Sequence, residues 1–202
     1  MLYKKRHRIV AIFYKGAGIG TYWHINDARQ TGFIARAPQM QPTPDQLMLH
    51  IARGTVNSPF ISLTRSYGIA LNYAKFYGKE ISSPQNPAFV YEIEINEPIP
   101  SGLKIIDPIK EVAPVLPLPL GINPPYQHDG GPDFLLGIVD PTNMGEYLTQ
   151  HAPQPPDSGG TPRTPNLTID LETLVRTLRD AEILAEGTIP ADCVKHKFKV
   201  SD

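Results

Sequence analysis

HIARGTVNSPFISLTRSYGIALNYA, residues 50–74, is the stretch that decides how this chain is read. It opens with a turn-rich lead-in, Arg53-Gly54-Thr55 through Asn57-Ser58-Pro59. A short apolar run with hydroxyls follows, Phe60-Ile61-Ser62-Leu63-Thr64, and the length and composition predict a strand. Side chains alternate faces along a strand, so Phe60, Ser62 and Thr64 share one side and Ile61 and Leu63 the other. Ser66 is a favourable N-cap for a helix beginning at Tyr67. Capping accounts for one hydroxyl of the three. The others either bond backbone locally or line a polar cleft.

Around this stretch, composition sets limits. At 202 residues the chain fits one domain, or one domain with a large insertion. Hydrophobic content of 41% and charged content of 19% predict folding for most of it. A net charge of -1 argues against bulk attraction to nucleic acid or to a membrane surface. The single cysteine, Cys193, rules out an internal disulfide framework and reads as a buried residue. The charged start MLYKKRHRIVAIFY has too short an apolar part for a signal peptide, and no run reaches the ~18 apolar residues of a membrane span. These features predict a soluble, cytoplasmic protein.

Residues 8–14 read as a buried first strand. Lys15 follows, then Gly16-Ala17-Gly18-Ile19-Gly20. A glycine-rich turn after a strand invites a dinucleotide-fold reading, but Thr21 stands where that motif needs Gly or Ala, and no alternation of strands and helices follows. Tyr22–Gln30 reads as a helix that Gly32 ends. Gln46–Ala52 reads as a second helix, with Leu47, His50 and Ile51 on one side. Ala88–Asn96, AFVYEIEIN, is the clearest strand: Phe89, Tyr91, Ile93 and Ile95 fall on one face, Val90, Glu92 and Glu94 on the other. Leu103–Ile106 reads as a further strand.

Composition then shifts. All but five of the 22 prolines lie between Pro84 and Pro165. Proline is excluded from helix interiors and central strands, so 108–165 reads as an insertion with a packed flap in part and a flexible end at 151–165. Regularity returns with the stripe Leu171, Leu174, Val175 and Leu178. That stripe either runs on to Leu184 or gives way at Arg179-Asp180 to a strand. Gly187–Pro190 is a turn, and Cys193–Val200 a closing strand.

Taken together, these pieces resemble the NAD-dependent mono-ADP-ribosyltransferases of the cholera and pertussis toxin type, which share an arginine, a serine-hydroxyl strand and a glutamate. Phe60–Thr64 looks like the family's aromatic-apolar-Ser-Thr-Ser strand, and its lead-in is similar too. Gly32-Phe33 sits where the family has a turn after its first helix, and Phe89–Ile95 looks like its Tyr-rich strand. The family's catalytic glutamate shortly precedes an Ile-Pro turn. Here that turn is Ile189-Pro190, which selects Glu182 in Asp180-Ala181-Glu182 over Glu111. In place of the family's arginine, Lys15 follows Tyr14; Arg6 or Arg8 would substitute only in a different strand register.

The resemblance implies an α+β fold, ADP-ribosyltransferase-like, with two small, mainly antiparallel sheets around an NAD cleft. It would be a single catalytic domain over 1–202 carrying the 108–165 insertion. It implies Glu182 and Asp180 as catalytic residues, and Lys15, Tyr14, Ser62, Thr64 and Tyr73 as residues that bind NAD. Cleaving the nicotinamide–ribose bond passes through an oxocarbenium-like state, which a carboxylate stabilises. An acid two residues earlier shares a strand face and can activate the acceptor. No metal is implied: the six histidines show no ligand spacing. The acceptor is a macromolecule, protein or nucleic acid. A toxin-like effector also implies an antitoxin or immunity partner. An NAD glycohydrolase, or an inactive binding module using the proline-rich stretch for recognition, are the alternatives.

Overall fold

The computed structural model describes residues 9–53, 57–112, 126–128, 135–138, 176–177 and 179–201. It divides into two compact units. The first comprises Met1–Gln41, Asn57–Ile106 and Asp180–Asp202; the second comprises Pro42–Val56 and Asp107–Arg179. The second unit therefore takes in a helix from the N-terminal half as well as the proline-rich stretch.

The first unit is α+β and built on an antiparallel sheet. Its strands are β1 (Ile9–Ala17), β3 (Phe60–Thr64), β4 (Ala88–Asn96), β5 (Lys104–Ile106), β8 (Glu182–Glu186) and β10 (Val194–Val200). They lie in the order β10-β4-β1-β3-β8-β5. A two-stranded sheet pairs β2 (Phe33–Ile34) with β9 (Thr188–Ile189). The helices are α1 (Tyr22–Ile25), α2 (Ala28–Thr31) and α4 (Tyr67–Phe76).

Two long ladders carry the large sheet. β1 pairs with β4 from Ile9↔Asn96 to Ala17↔Phe89, and β3 pairs with β8 from Phe60↔Glu186 to Thr64↔Glu182. Between them, β1 and β3 share one Cα partnership, Tyr14↔Thr64. In place of the expected pair of small sheets, the first unit has one six-stranded antiparallel sheet, whose two three-stranded ladders β10-β4-β1 and β3-β8-β5 are joined at the single Tyr14↔Thr64 partnership, and the separate two-stranded sheet β2-β9.

The pattern of β4 explains the core. Tyr91, Ile93 and Ile95 are at most 1% exposed and pack with Phe13, Ala17, Ile61, Leu63, Ile183 and Ala185 on one side of the sheet. Burying each large apolar side chain contributes roughly 1.5–3 kcal/mol. The other side carries Val90, which packs with Ala70 and Ala74 of α4. That helix lies close because Gly16 has no side chain: a Cβ there would meet the Ala70 carbonyl oxygen at 2.3 Å and the Ala74 nitrogen at 2.8 Å. Gly16 therefore serves helix packing within β1.

Local chemistry sets the ends of these elements. Ser66 caps α4 by accepting from the Ile69 N–H at 3.3 Å. The helix read over Tyr22–Gln30 is two short ones, because Asp27 interrupts it and caps α2 by accepting from the Arg29 N–H at 3.0 Å. Gly32 ends α2 at φ 72°, where a Cβ would strike the Ile189 carbonyl, so glycine is needed twice over. On the edge strand β10, Lys197 lies 3.4 Å from Asp27 and 3.9 Å from the Phe89 ring centroid, covering the sheet margin. The first and last strands do not pair with each other; β4 lies between them. The basic run Lys4–Arg8, with Arg6 and Arg8, lies outside the described residues.

In the second unit, α3 (Pro44–Arg53) buries Leu47, His50 and Ile51, as its periodicity predicts. Helix α5 (Pro108–Val112) follows, and an antiparallel pair, β6 (Tyr126–His128) with β7 (Leu135–Ile138), forms within the proline-rich stretch. Residues 151–165 and the stripe at 171–175 lie outside the described residues.

Candidate active site

The site is built where β1 and β3 part. All the residues singled out from the sequence, Tyr14, Lys15, Ser62, Thr64, Tyr73, Asp180 and Glu182, belong to the first unit. Glu182 is the first residue of β8 and stands opposite Thr64. Ser62 stands opposite Leu184, two places along. Opposed residues and every second neighbour share a face, so Ser62, Thr64 and Glu182 lie on one side of the sheet. Tyr14, opposite Thr64 across the other ladder, shares that side.

Lys15 is the residue that enters the parting. Its Nζ donates to the Ser62 carbonyl at 2.8 Å. Had the β1–β3 ladder continued, Gly16 would have stood opposite Ser62; the lysine ammonium fills that role instead. Lys15 keeps part of its surface exposed, yet its ammonium is desolvated and its pKa falls to about 8. Burial is the largest cause; Glu182 acts in the opposite sense, favouring the charge, and Arg36 lowers it further. The lysine and Glu182, 167 positions apart in sequence, are thus electrostatic neighbours.

Asp180 departs from the sequence reading. The resemblance implies a strand face shared with Glu182, but β8 begins at Glu182 and Asp180 ends the preceding helical turn. Ala181 between them adopts φ 45°, the left-handed conformation that reverses the chain at a helix end. The two acids therefore do not alternate along one strand. The Asp180 residue is 8% exposed, and Tyr73 Oη donates to its Oδ2 at 2.6 Å. Its carbonyl accepts from Thr64 Oγ1 at 2.6 Å, and the Ala181 carbonyl accepts from the Arg65 N–H at 3.1 Å. The Thr64 hydroxyl also accepts from the Ser66 N–H at 3.0 Å. Thr64 and Asp180 together hold the start of β8 against the end of β3 and so place Glu182.

The aromatic residues have packing partners. Tyr73 tilts against Tyr77, with ring centroids 4.6 Å apart, while its hydroxyl serves Asp180. Tyr14 meets Tyr67 edge-on at 5.5 Å. Burial, and then Glu92 beside it, raise the Tyr14 pKa. His24 stacks on Phe89, and its Nε2 lies 3.1 Å from the Pro87 carbonyl, a structural role. Burial likewise raises the Cys193 thiol pKa, which suits a core residue. Among the described residues, no group of three or more His, Cys, Asp or Glu side chains is placed to hold a metal ion, and no helix is long and apolar enough to cross a membrane.

Arg36 is the residue that sequence reasoning missed. It lies just after β2, and its charge contributes to lowering the Lys15 pKa, an effect of tertiary structure. The only sequence signal is its place between two alanines, Ala35 and Ala37, both of which are buried. Chemically, the arrangement places the Glu182 carboxylate and the Ser62 side chain on one face of the sheet and a desolvated ammonium at the parting of two strands, while the Thr64 hydroxyl is engaged by Asp180 and Ser66. No protein-family model, no curated protein and no solved structure matches this chain.

Proposed function

We propose that this chain is an NAD-dependent mono-ADP-ribosyltransferase with an ADP-ribosyltransferase-like fold, which moves ADP-ribose from NAD to a macromolecular acceptor. The observation that supports the reading most is the convergence of Lys15, Ser62, Thr64 and Glu182. Three segments far apart in sequence meet at one strand parting, and Glu182 acts on the Lys15 ammonium. In the proposed reaction the bond between the ribose C1′ and the nicotinamide nitrogen breaks. Its electron pair leaves with nicotinamide, and positive charge develops on the ribose ring. Glu182 stabilises that charge. The acceptor then bonds to C1′ and gives up its proton to solvent. Ser62 shapes the ribose side, Thr64 supports it by holding the start of β8, and Lys15 orients the dinucleotide as a cation.

One observation favours the hydrolytic reading, in which water is the acceptor. Asp180 is tied to Tyr73 and stands off the strand, so the acid two places before Glu182 is not displayed beside it. Free nicotinamide measured after incubation with NAD, with and without cell lysate, separates the readings. Release that depends on lysate, with label on a macromolecule, supports transfer; release without an acceptor supports hydrolysis. Nuclease and protease treatment of the labelled product then assigns the acceptor class. Glu182→Gln should lower release by about 100-fold or more. No release by the wild type under either condition would sink both enzymatic readings and leave the inactive binding module.

A further inference from the structure

Five residues of the first unit stand in one row across its large sheet. His196 is opposite Glu92, Glu92 opposite Tyr14, Tyr14 opposite Thr64, and Thr64 opposite Glu182. Opposed residues share a face, so the row leads from Glu182 to the edge strand β10 on one side of the sheet. Adjacent strands lie about 4.8 Å apart, which puts Glu92 about 15 Å from Glu182. Glu94, two places along β4, and Phe198, two places along β10, share that side. Lys197 and Lys199 of β10 do not: they stand opposite Tyr91 and Phe89, on the core side.

The β10 end of the row is aromatic and acidic. Tyr67, the first residue of α4, meets Tyr14 edge-on at 5.5 Å and Phe198 edge-on at 5.9 Å, and His196 lies 5.6 Å from Phe198. These contacts leave Tyr67 39% and Phe198 37% exposed. The Glu92 side chain is largely buried, with Oε1 3.8 Å from His196 Nε2. That is beyond hydrogen-bond length, and a neutral imidazole brings no charge to offset the acid. Glu94 is half-buried and makes no hydrogen bond or ion pair to another described residue. Two partly desolvated carboxylates beside exposed rings are unfavourable until a cation joins them. Rings attract a cation within about 6 Å of their centroids, and a guanidinium can stack on a ring while its forked N–H groups donate to a carboxylate. Nucleic acid or an anionic membrane would bring phosphates against Glu92 and Glu94. A second copy joined through the same face would set these acids against each other.

We propose that this end of the row docks an arginine of a protein partner, its guanidinium against Tyr67 and Phe198 and paired with Glu92 and Glu94. That the partner is the ADP-ribose acceptor rests on the transferase reading above; the arginine site itself does not. At about 3.3 Å per extended residue, the docked arginine would lie four or five residues from the group presented to Glu182. Fluorescence anisotropy with a labelled, capped Gly-Arg-Gly-Arg-Gly peptide tests the site. The wild type should bind it, and should bind the uncharged citrulline counterpart about 10-fold more weakly or worse. The lysine counterpart should fall between them. Glu94→Gln should weaken arginine-peptide binding about 10-fold and Phe198→Leu about 3- to 10-fold. Glu80→Gln, the same charge change at an exposed acid beside Asn86, should match the wild type. The citrulline comparison uses the wild type alone and so holds whatever the variants do to folding. No arginine-peptide binding by the wild type, equal binding of the citrulline peptide, or wild-type affinity in Glu94→Gln overturns the site. Binding of an oligouridylate, or self-association, that Phe198→Leu abolishes also overturns it, giving the face to nucleic acid or to a second copy. Peptide bound through Glu94 by a protein that releases no nicotinamide from NAD leaves the site standing and removes the transferase reading alone. Nicotinamide release by a protein that does not bind the peptide removes the site alone.

Discussion

At Lys15, burial and charge act against each other. The ammonium is desolvated, with a pKa of about 8 against the ordinary ~10.4 of lysine in an unfolded chain. It is protonated at pH 7 and loses its proton as pH rises through 8. If the cation orients NAD, kcat/KM for nicotinamide release should fall on an alkaline limb with an apparent pKa near 8. Lys15→Arg should remove that limb, because arginine stays charged; a limb unchanged in this variant would assign it to another group. Stability should move the other way. The folded-state pKa lies below the unfolded one, so between pH 8 and ~10.4 the folded state binds fewer protons and gains stability with pH. The penalty for burying the charge is complete below pH 8 and is relieved above it. Relative to Lys15→Arg, wild type should gain about 1–2 kcal/mol between pH 7 and 10, allowing for the solvent that still reaches the residue. Activity lost while stability rises cannot be unfolding. Tyr73 offers a second check. Its hydroxyl donates to the carboxylate of the buried Asp180. Tyr73→Phe should cost about 1–3 kcal/mol, seen as a lower Tm. An unchanged Tm would show that the bond contributes nothing to placing β8.

At the scale of elements, α4 and β1 pack at a distance that one atom decides. At Gly16 an added Cβ would meet backbone atoms of Ala70 and Ala74, and the Tyr73 Cβ at 2.9 Å. Backbone cannot rotate away as a side chain end can, so Gly16→Ala must displace the helix or the strand. Destabilisation of about 1–3 kcal/mol is expected. Because α4 carries Tyr73, nicotinamide release should fall as well. Gly68 lies within the same helix, and the nearest atom to its added Cβ is Ser66 Oγ at 3.8 Å. Gly68→Ala should stabilise by up to ~1 kcal/mol through helix propensity alone. Chemical denaturation of the two variants tests the pair; shifts of the same sign would show that packing at Gly16 is not the controlling contact.

For the whole molecule, β4 is the strand on which the first unit depends. It is flanked by β1 and β10, and its residues Tyr91, Ile93 and Ile95 are fully buried. Ile93→Ala should cost about 2–5 kcal/mol, since the surrounding core cannot collapse fully around the void. Ile12→Ala, at a residue 41% exposed on the same sheet, should cost far less. Denaturant midpoints compare the two, and equal shifts would mean the core does not sit on this face.

Much of the fold was legible because local signals were strong. AFVYEIEIN has the period of a half-buried strand and forms one over the same nine residues. Phe60–Thr64, the Ser66 cap and the Gly32 stop follow from propensity and steric rules that act over three or four residues. Other features depended on partners far along the chain. Nothing near Asp180 in sequence says that Ala181 will turn left-handed, or that Tyr73 will hold the carboxylate away from the strand. The bonds responsible come from Thr64, Arg65 and Tyr73, more than a hundred residues earlier. Arg36 was invisible for the same reason, since its neighbours in space are set by where Ala35 and Ala37 are buried. The sequence by itself determined the main strands β1, β3, β4 and β10, the Ser66 cap and the Gly32 stop; the short pairs β2-β9 and β6-β7 were not legible, and Thr188-Ile189 forms β9 where a turn is expected. Only the tertiary structure decided that β1 and β3 meet at one pair and then part. That parting lets Lys15 reach the Ser62 carbonyl with Glu182 across from Thr64, because an ammonium takes a ladder position that backbone has vacated.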